Sequence, residues 1–266
     1  MVDPRKDEVI PEDPPLPAED IELPVRGFAI NRAKAIVAAA GLWTGFAVMV
    51  YLVTNDLVRG FDQHGLLLYR QGEAHEPIGP AWLHEAVRDV TALGGVTIST
   101  LATAGAVVAL LFLKMRREAV LLALTVIGGW MLNNSMKILF GRERPEIVPH
   151  LTEAGGLSFP SGHSFASAMI YIAMAIAFAS LSNRHLVRYT IIGSAMLVSG
   201  AIAWSRVMLG VHFPSDVVAG WLAGAGWAFA AAALLYGSAK AAADSEAADH
   251  LDPTSDLRRA QRARRR

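Results

Sequence analysis

Six apolar runs, each long enough to cross a bilayer, set the limits on what this chain can fold into; they lie near residues 35–54, 94–113, 118–136, 163–181, 189–206 and 216–236. In hydrocarbon, backbone N–H and C=O groups have no water to bond, so runs of about 20 residues satisfy them internally as helices. The predicted fold class is therefore all-α, a polytopic bundle of six transmembrane helices. With 53% hydrophobic residues, only 18% charged and a mean hydropathy of +0.36, the chain is too apolar for an ordinary soluble domain.

Basic residues orient the bundle. Arg26, Arg32 and Lys34 precede the first run, Lys114, Arg116 and Arg117 join the second to the third, Arg184 and Arg188 join the fourth to the fifth, and six arginines fall between 258 and 266. The positive-inside bias makes these segments cytoplasmic, along with both termini. Connections 55–93, 137–162 and 207–215 then lie on the outer side. Residues 1–25 hold six prolines and eight acidic residues, which read as a disordered cytoplasmic tail, not a cleavable signal. The expected organisation is that tail, a membrane domain over 26–240, and a polar, basic cytoplasmic tail over 241–266. Within the first outer connection, Trp82, Leu83, Val87 and Val90 suit an amphipathic helix along the interface, packed on the helix ends. Gly220 and Gly224 form a helix-contact signal in the last run.

All of the chemistry in the sequence gathers beside the outer connections. Eleven residues spell K-x6-R-P (Lys137, Arg144, Pro145), P-S-G-H (Pro160, Ser161, Gly162, His163) and S-R-x5-H-x3-D (Ser205, Arg206, His212, Asp216). Between His163 and Ser205 stand 41 residues, enough for two crossings and a turn, so the chain returns to the side it left.

A phosphoryl group in transfer spreads negative charge over its equatorial oxygens, so a site for it needs fixed cations and N–H donors around one point. Lys137, Arg144 and Arg206 supply cations, arginine as a two-toothed fork and lysine as a point charge. Three positive charges on the outer face with no run of acidic partners run against the inside bias, which favours a binding role. Ser161 is placed to cap the helix that follows, and Gly162 allows close approach to its free N–H groups. His212 and Asp216, four apart at a helix start, let the carboxylate accept from one ring nitrogen and expose the other as base or nucleophile. Arg142 fills no motif position and reads as an arginine that snorkels to headgroups. Metal binding by His163, His212 and Asp216 is the rival reading, opposed by the three neighbouring cations.

These motifs, in this order on six helices, closely resemble the type 2 phosphatidic acid phosphatase superfamily of membrane lipid phosphatases. The resemblance covers 137–216 by motif and 35–236 by layout. It implies that His212 is the nucleophile and becomes a phosphohistidine, that Asp216 orients it, and that His163 is the general acid. It further implies that Lys137, Arg144, Ser161, Gly162 and Arg206 hold the phosphate oxygens, and that no metal or other cofactor is needed. The expected activity is metal-independent hydrolysis of a phosphate monoester or diphosphate on a membrane lipid, of the phosphatidic acid, phosphatidylglycerol phosphate or polyprenyl (undecaprenyl) diphosphate type. The outward site looks like that of a bacterial inner-membrane enzyme facing the periplasm.

Two alternatives stay open at this point. A phosphotransferase would pass the same intermediate to an alcohol instead of water. A transporter for anionic lipid or phosphate would also need cations in the membrane, but transport sites gather near the midplane, and here the charges gather at one interface. Expected partners are the lipid phosphate and surrounding lipids, with no nucleic acid; nothing in the sequence specifies an oligomeric state.

Overall fold

A computed structural model describes residues 31–179, 181–182 and 184–236. The expected tails, 1–25 and 241–266, lie outside the described residues. Among the described residues, eight α-helices run in order: α1 (Arg32–Thr54), α2 (Arg59–Leu67), α3 (Ala81–Ala92), α4 (Val96–Phe112), α5 (Arg116–Phe140), α6 (Gly162–Ala179), α7 (His185–Met208) and α8 (Pro214–Ala231), the last continuing into a π-helical turn, Ala232–Tyr236. Between α2 and α3, β1 (Arg70–Gln71) and β2 (Glu76–Pro77) pair antiparallel, a small hairpin the apolar pattern does not announce.

Helices α1, α5, α6, α7 and α8 are each long and apolar enough to cross a membrane. The pair α3 and α4, bent by 49° at the break between them, meets the same length and apolarity when taken together. The bend agrees with a separate amphipathic segment over 81–92. α3 packs against α7 and leaves Trp82 two-thirds exposed, while α4 takes the membrane run. Exposed Val37, Phe112, Leu139 and Leu197 ring the bundle with apolar side chains, as expected where lipid is the solvent.

α6 and α8 are the centre, since most of their residues are buried, whereas α1 and α7 bury few. Without a hydrophobic effect between helices in lipid, close backbone approach is what holds them together. Gly220 and Gly224 provide it: a Cβ would stand 2.5 Å from Ser161 O at the first and 2.2 Å from Phe165 O at the second. Larger side chains fill the remaining gaps. Phe46 of α1 stacks on Phe159 at 6.3 Å, and Phe140 meets Phe159 edge-on at 5.1 Å.

The chain reverses sharply at the ends that carry the motifs. α5 closes on Gly141 in the left-handed region (φ 61°), whose N–H donates to Lys137 O at 3.1 Å. α8 opens with Pro214 at its first position, and Asp216 in the first turn accepts from Phe213 N–H at 3.0 Å. The C-terminal ends of α5 and α7 and the N-terminal ends of α6 and α8 consequently meet at one end of the bundle.

Candidate functional site

At that end, all three motifs converge. Lys137 stands in the last turn of α5, which runs four residues beyond the expected end of the third run, with its Nζ donating to Leu157 O at 2.7 Å. Arg144, in the 141–161 connection, is held on three carbonyls: Nε donates to Gly156 O at 3.0 Å, Nη2 to Gly155 O at 2.8 Å and Nη1 to Val211 O at 2.7 Å. Arg206, in the last turn of α7, is buried; its Nη1 donates to Thr91 Oγ1 at 3.1 Å and its Nε has no partner. Among the described residues, none of these three cations has a carboxylate within ion-pair distance. Each therefore retains charge to offer an anion.

Pro160-Ser161-Gly162-His163 delivers the start of α6 to the same place. The first backbone bond of that helix runs from Phe165 N to Ser161 O, so the N–H groups of Gly162, His163 and Ser164 have no carbonyl to meet. Such a helix end suits an anion. Ser161 departs from its expected capping role: its Oγ accepts from Ser164 Oγ at 3.0 Å, and its N–H donates to Asp216 O at 3.0 Å, which ties α6 to α8. Gly162 faces Lys137, whose Cε would lie 3.4 Å from a Cβ there.

His212 and Asp216 are neighbours, but not by the direct hydrogen bond their spacing predicts. His212 Nδ1 stands 3.6 Å from Asp216 Oδ2, with Ser158 between them. Ser158 Oγ lies 3.1 Å from Nδ1 and donates to Asp216 Oδ2 at 2.5 Å. A hydroxyl has one proton, and an ionised carboxylate only accepts. Ser158 must then accept from His212, which places the ring proton on Nδ1 and leaves the lone pair on Nε2. That nitrogen points at Arg144 Nη1, 3.0 Å away. Burial pushes the His212 pKa down to about 4; Asp216 opposes the shift, and Arg144 and Arg206 add to it. The ring is thus neutral near pH 7, as a nucleophile must be.

Arg142 does not snorkel. Its Nη1 donates to Asp216 Oδ1 at 2.6 Å and to Ser215 Oγ at 2.8 Å, and its Nη2 donates to Asp62 Oδ2 at 2.7 Å. Burial works against its charge, but Asp216 and Asp62 raise its pKa above the ordinary value. Arg142, Asp62 and Ser158 are the residues that the sequence reading missed. Arg142 and Ser158 sit on the 141–161 connection and Asp62 on α2, all outside every motif.

The rival metal triad does not fit this arrangement. Asp216 directs one oxygen to Arg142 and the other to Ser158 and the Phe213 N–H. Among the described residues, no three His, Asp or Glu side chains are grouped as metal ligands.

Two openings flank the site. His163 borders a cavity of about 120 Å³ between α4, α5 and α6, lined also by Val96, Trp130, Asn133 and Met169. Val96 and Trp130 are exposed on the flank of the bundle, so this side is largely apolar and faces lipid. On the other side, a polar depression of about 340 Å³ includes Arg59, Asp62, Arg142 and Arg144.

The chain is similar to known proteins in sequence and fold. Residues 118–239 match the family model of the PAP2 superfamily. Phosphatidylglycerophosphatase B of Bacillus subtilis (strain 168) is 32% identical over 149 residues, 54% of this chain and 70% of that protein. A lipid A 1-phosphatase of Rhizobium etli is 34% identical over 121 residues, 42% of this chain and 47% of that protein. The crystal structure of a transmembrane PAP2-type phosphatidylglycerolphosphate phosphatase from Bacillus subtilis superposes with a TM-score of 0.60 at 25% identity, over 73% of this chain and 93% of the other.

Proposed function

The chain belongs to the PAP2 superfamily and is an integral membrane phosphatase, and from that premise we propose that it hydrolyses a membrane lipid phosphate through a phosphohistidine on His212. His212 Nε2 attacks phosphorus, while Asp216, acting through Ser158, keeps the ring proton on Nδ1. His163 protonates the departing oxygen and then assists the water that releases phosphate. Lys137, Arg144, Arg206 and the N–H groups at the start of α6, with Ser161 and Gly162, hold the phosphate oxygens as their charge grows. All of these roles fall to side chains and backbone, so the mechanism calls for no cofactor.

The observation that carries a lipid substrate is the apolar opening beside His163. A leaving group protonated by His163 has its chain beside Val96, Trp130 and Met169, on the lipid-facing flank. The polar depression by Arg144 gives water and phosphate a separate route. Among lipid phosphates, the Bacillus relatives favour a phosphatidylglycerol phosphate type, with phosphatidic acid and polyprenyl diphosphate as the competing classes. The basic connections support an outward, periplasmic site in a bacterial inner membrane with both termini cytoplasmic.

Phosphate release by purified protein from a panel of lipid phosphates, with chelator present, tests the reading. Turnover that prefers one lipid class supports it. No release from any lipid, or release only after magnesium is added, would overturn it. Addition of alcohol acceptors in the same assay separates hydrolysis from transfer.

A further inference from the structure

Arg142 and Asp62 lie outside the three motifs, yet they complete the charge shell around His212. Arg142 bridges two carboxylates, both fully buried: Asp216 Oδ1 at 2.6 Å and Asp62 Oδ2 at 2.7 Å. Asp62 comes from α2, far away in the chain, and also accepts from the Ser215 N–H at 2.9 Å and the Ser215 hydroxyl at 2.7 Å. The Arg142 guanidinium lies over the Phe213 ring, 4.3 Å from its centroid. Every partner that fixes this guanidinium is therefore a fixed part of the site wall.

We propose that Asp62 and Arg142 are positioning residues for phosphoryl transfer: Arg142 clamps the Asp216 carboxylate, and Asp62 supplies the negative charge that Arg142 would otherwise take from it. The inference rests on the phosphohistidine reading above. In that step the Nε2 lone pair of His212 forms the N–P bond, and the P–O bond breaks with its electron pair on the departing oxygen. That oxygen takes the proton of His163. The His212 ring keeps its Nδ1 proton and becomes a cation.

What surrounds that cation decides the cost of making it. Arg144 faces His212 from the 141–161 connection, Arg206 from α7, His163 from α6 and Lys137 lies beyond on α5, all cationic or neutral. Stabilisation has to come from the side of Asp216. Arg142 and Asp216 alone form a neutral pair, and a neutral pair supports a growing positive charge poorly. With Asp62 the cluster has a net charge of minus one. Buried ion pairs also penalise any change that leaves one member unmatched.

Asp62 ties α2 to the start of α8 as well, so a structural role must be separated from a charge role. Asp62→Asn keeps the shape and an acceptor for the Ser215 N–H but removes the charge. Arg142→Gln combined with it restores a net charge of minus one, now on Asp216 alone. The test is kcat and KM of the full chain in detergent on a short-chain phosphatidic acid, for wild type, both single variants and the double variant, with rapid-quench trapping of phosphoryl-His212.

Asp62→Asn should lower kcat about tenfold with KM within about twofold, and the double variant should recover at least about threefold over Asp62→Asn. An Asp62→Asn rate equal to wild type, or a double variant no faster than Asp62→Asn, would overturn the inference while the trapped adduct leaves the phosphohistidine reading intact. Turnover by wild type with no adduct on His212 would sink both. Where Asp62→Asn does not yield monodisperse protein, the pH profile of Arg142→Gln decides. With two carboxylates unopposed, the acid limb of its kcat/KM should move to higher pH, and an unmoved or lowered limb overturns the inference.

Discussion

Arg144 donates to Nε2 of His212 at 3.0 Å, so the guanidinium occupies the lone pair that would attack phosphorus. Its other bonds, to Gly155 O, Gly156 O and Val211 O, are to backbone and hold it in place. A phosphate oxygen arriving at Nε2 takes over the one N–H that His212 had held, without moving the fork. Arg144→Lys keeps the charge but loses that geometry. We expect kcat/KM to fall about 10²-fold or more, with vanadate inhibition weakened in parallel. A loss in kcat/KM with undiminished vanadate inhibition would contradict an oxygen-binding role.

Ser158 relays between His212 Nδ1 and Asp216 Oδ2. Ser158→Ala leaves Asp216 held by Arg142 and the Phe213 N–H, but leaves the ring proton without a direct partner in a buried site. The expected result is a kcat lower by about 10- to 100-fold at nearly constant KM, measured by steady-state phosphate release. A change confined to KM would mean that Ser158 serves binding instead.

The apolar runs were legible because a bilayer imposes length and composition on each helix alone. The motif residues were legible because each group is local, and the even number of crossings between His163 and Ser205 puts those groups at one end. Asp62 was not legible. In sequence it resembles Asp56, six positions before it; Asp56 is solvent-exposed and pairs with Arg59 at 3.9 Å, whereas Asp62 is buried against Arg142 and Ser215. Nothing nearby in the chain separates the two, because the partners that bury Asp62 lie 80 and 153 positions away. Arg142 was misread for the same reason: its partners arrive from α2 and α8. The spacing of His212 and Asp216 predicted proximity correctly, but the serine between them comes from another connection.

His212 makes stability depend on pH. Its pKa falls from an ordinary 6.5 to about 4 on folding, chiefly through burial. Between those values the unfolded chain binds a proton and the folded protein does not, so acidification favours unfolding. The contribution is fully present above 6.5 and is lost by about 4. The apparent melting temperature in detergent should fall across that window, and His212→Gln should flatten the slope. An identical slope in the variant would assign it to other groups.

Gly224 sets the distance between the two central helices, with a Cβ placed 2.2 Å from Phe165 O. Gly224→Ala must push apart α6 and α8, which carry the proposed site residues His163 and Asp216. We expect a loss of about 1–3 kcal/mol, read as a lower melting temperature and reduced monodisperse yield. Gly41→Ala, where a Cβ meets open space, should leave both unchanged; equal effects would detach the result from the α6–α8 contact.

The two histidines make different predictions. His212→Ala removes the atom that forms the covalent intermediate, so it should abolish turnover of every substrate, including an activated aryl phosphate. His163→Ala removes only a proton donor. A lipid alkoxide leaves poorly without that proton, whereas a nitrophenolate leaves readily, so this variant should lose far more activity on the lipid than on the aryl ester. Asp216→Asn should bind substrate and slow transfer on both, since the positive ring then forms without its carboxylate. Rates of all three variants on one lipid phosphate and one aryl phosphate decide the assignment. Residual His212→Ala turnover of the aryl ester above that of His163→Ala would exchange the roles of the two histidines.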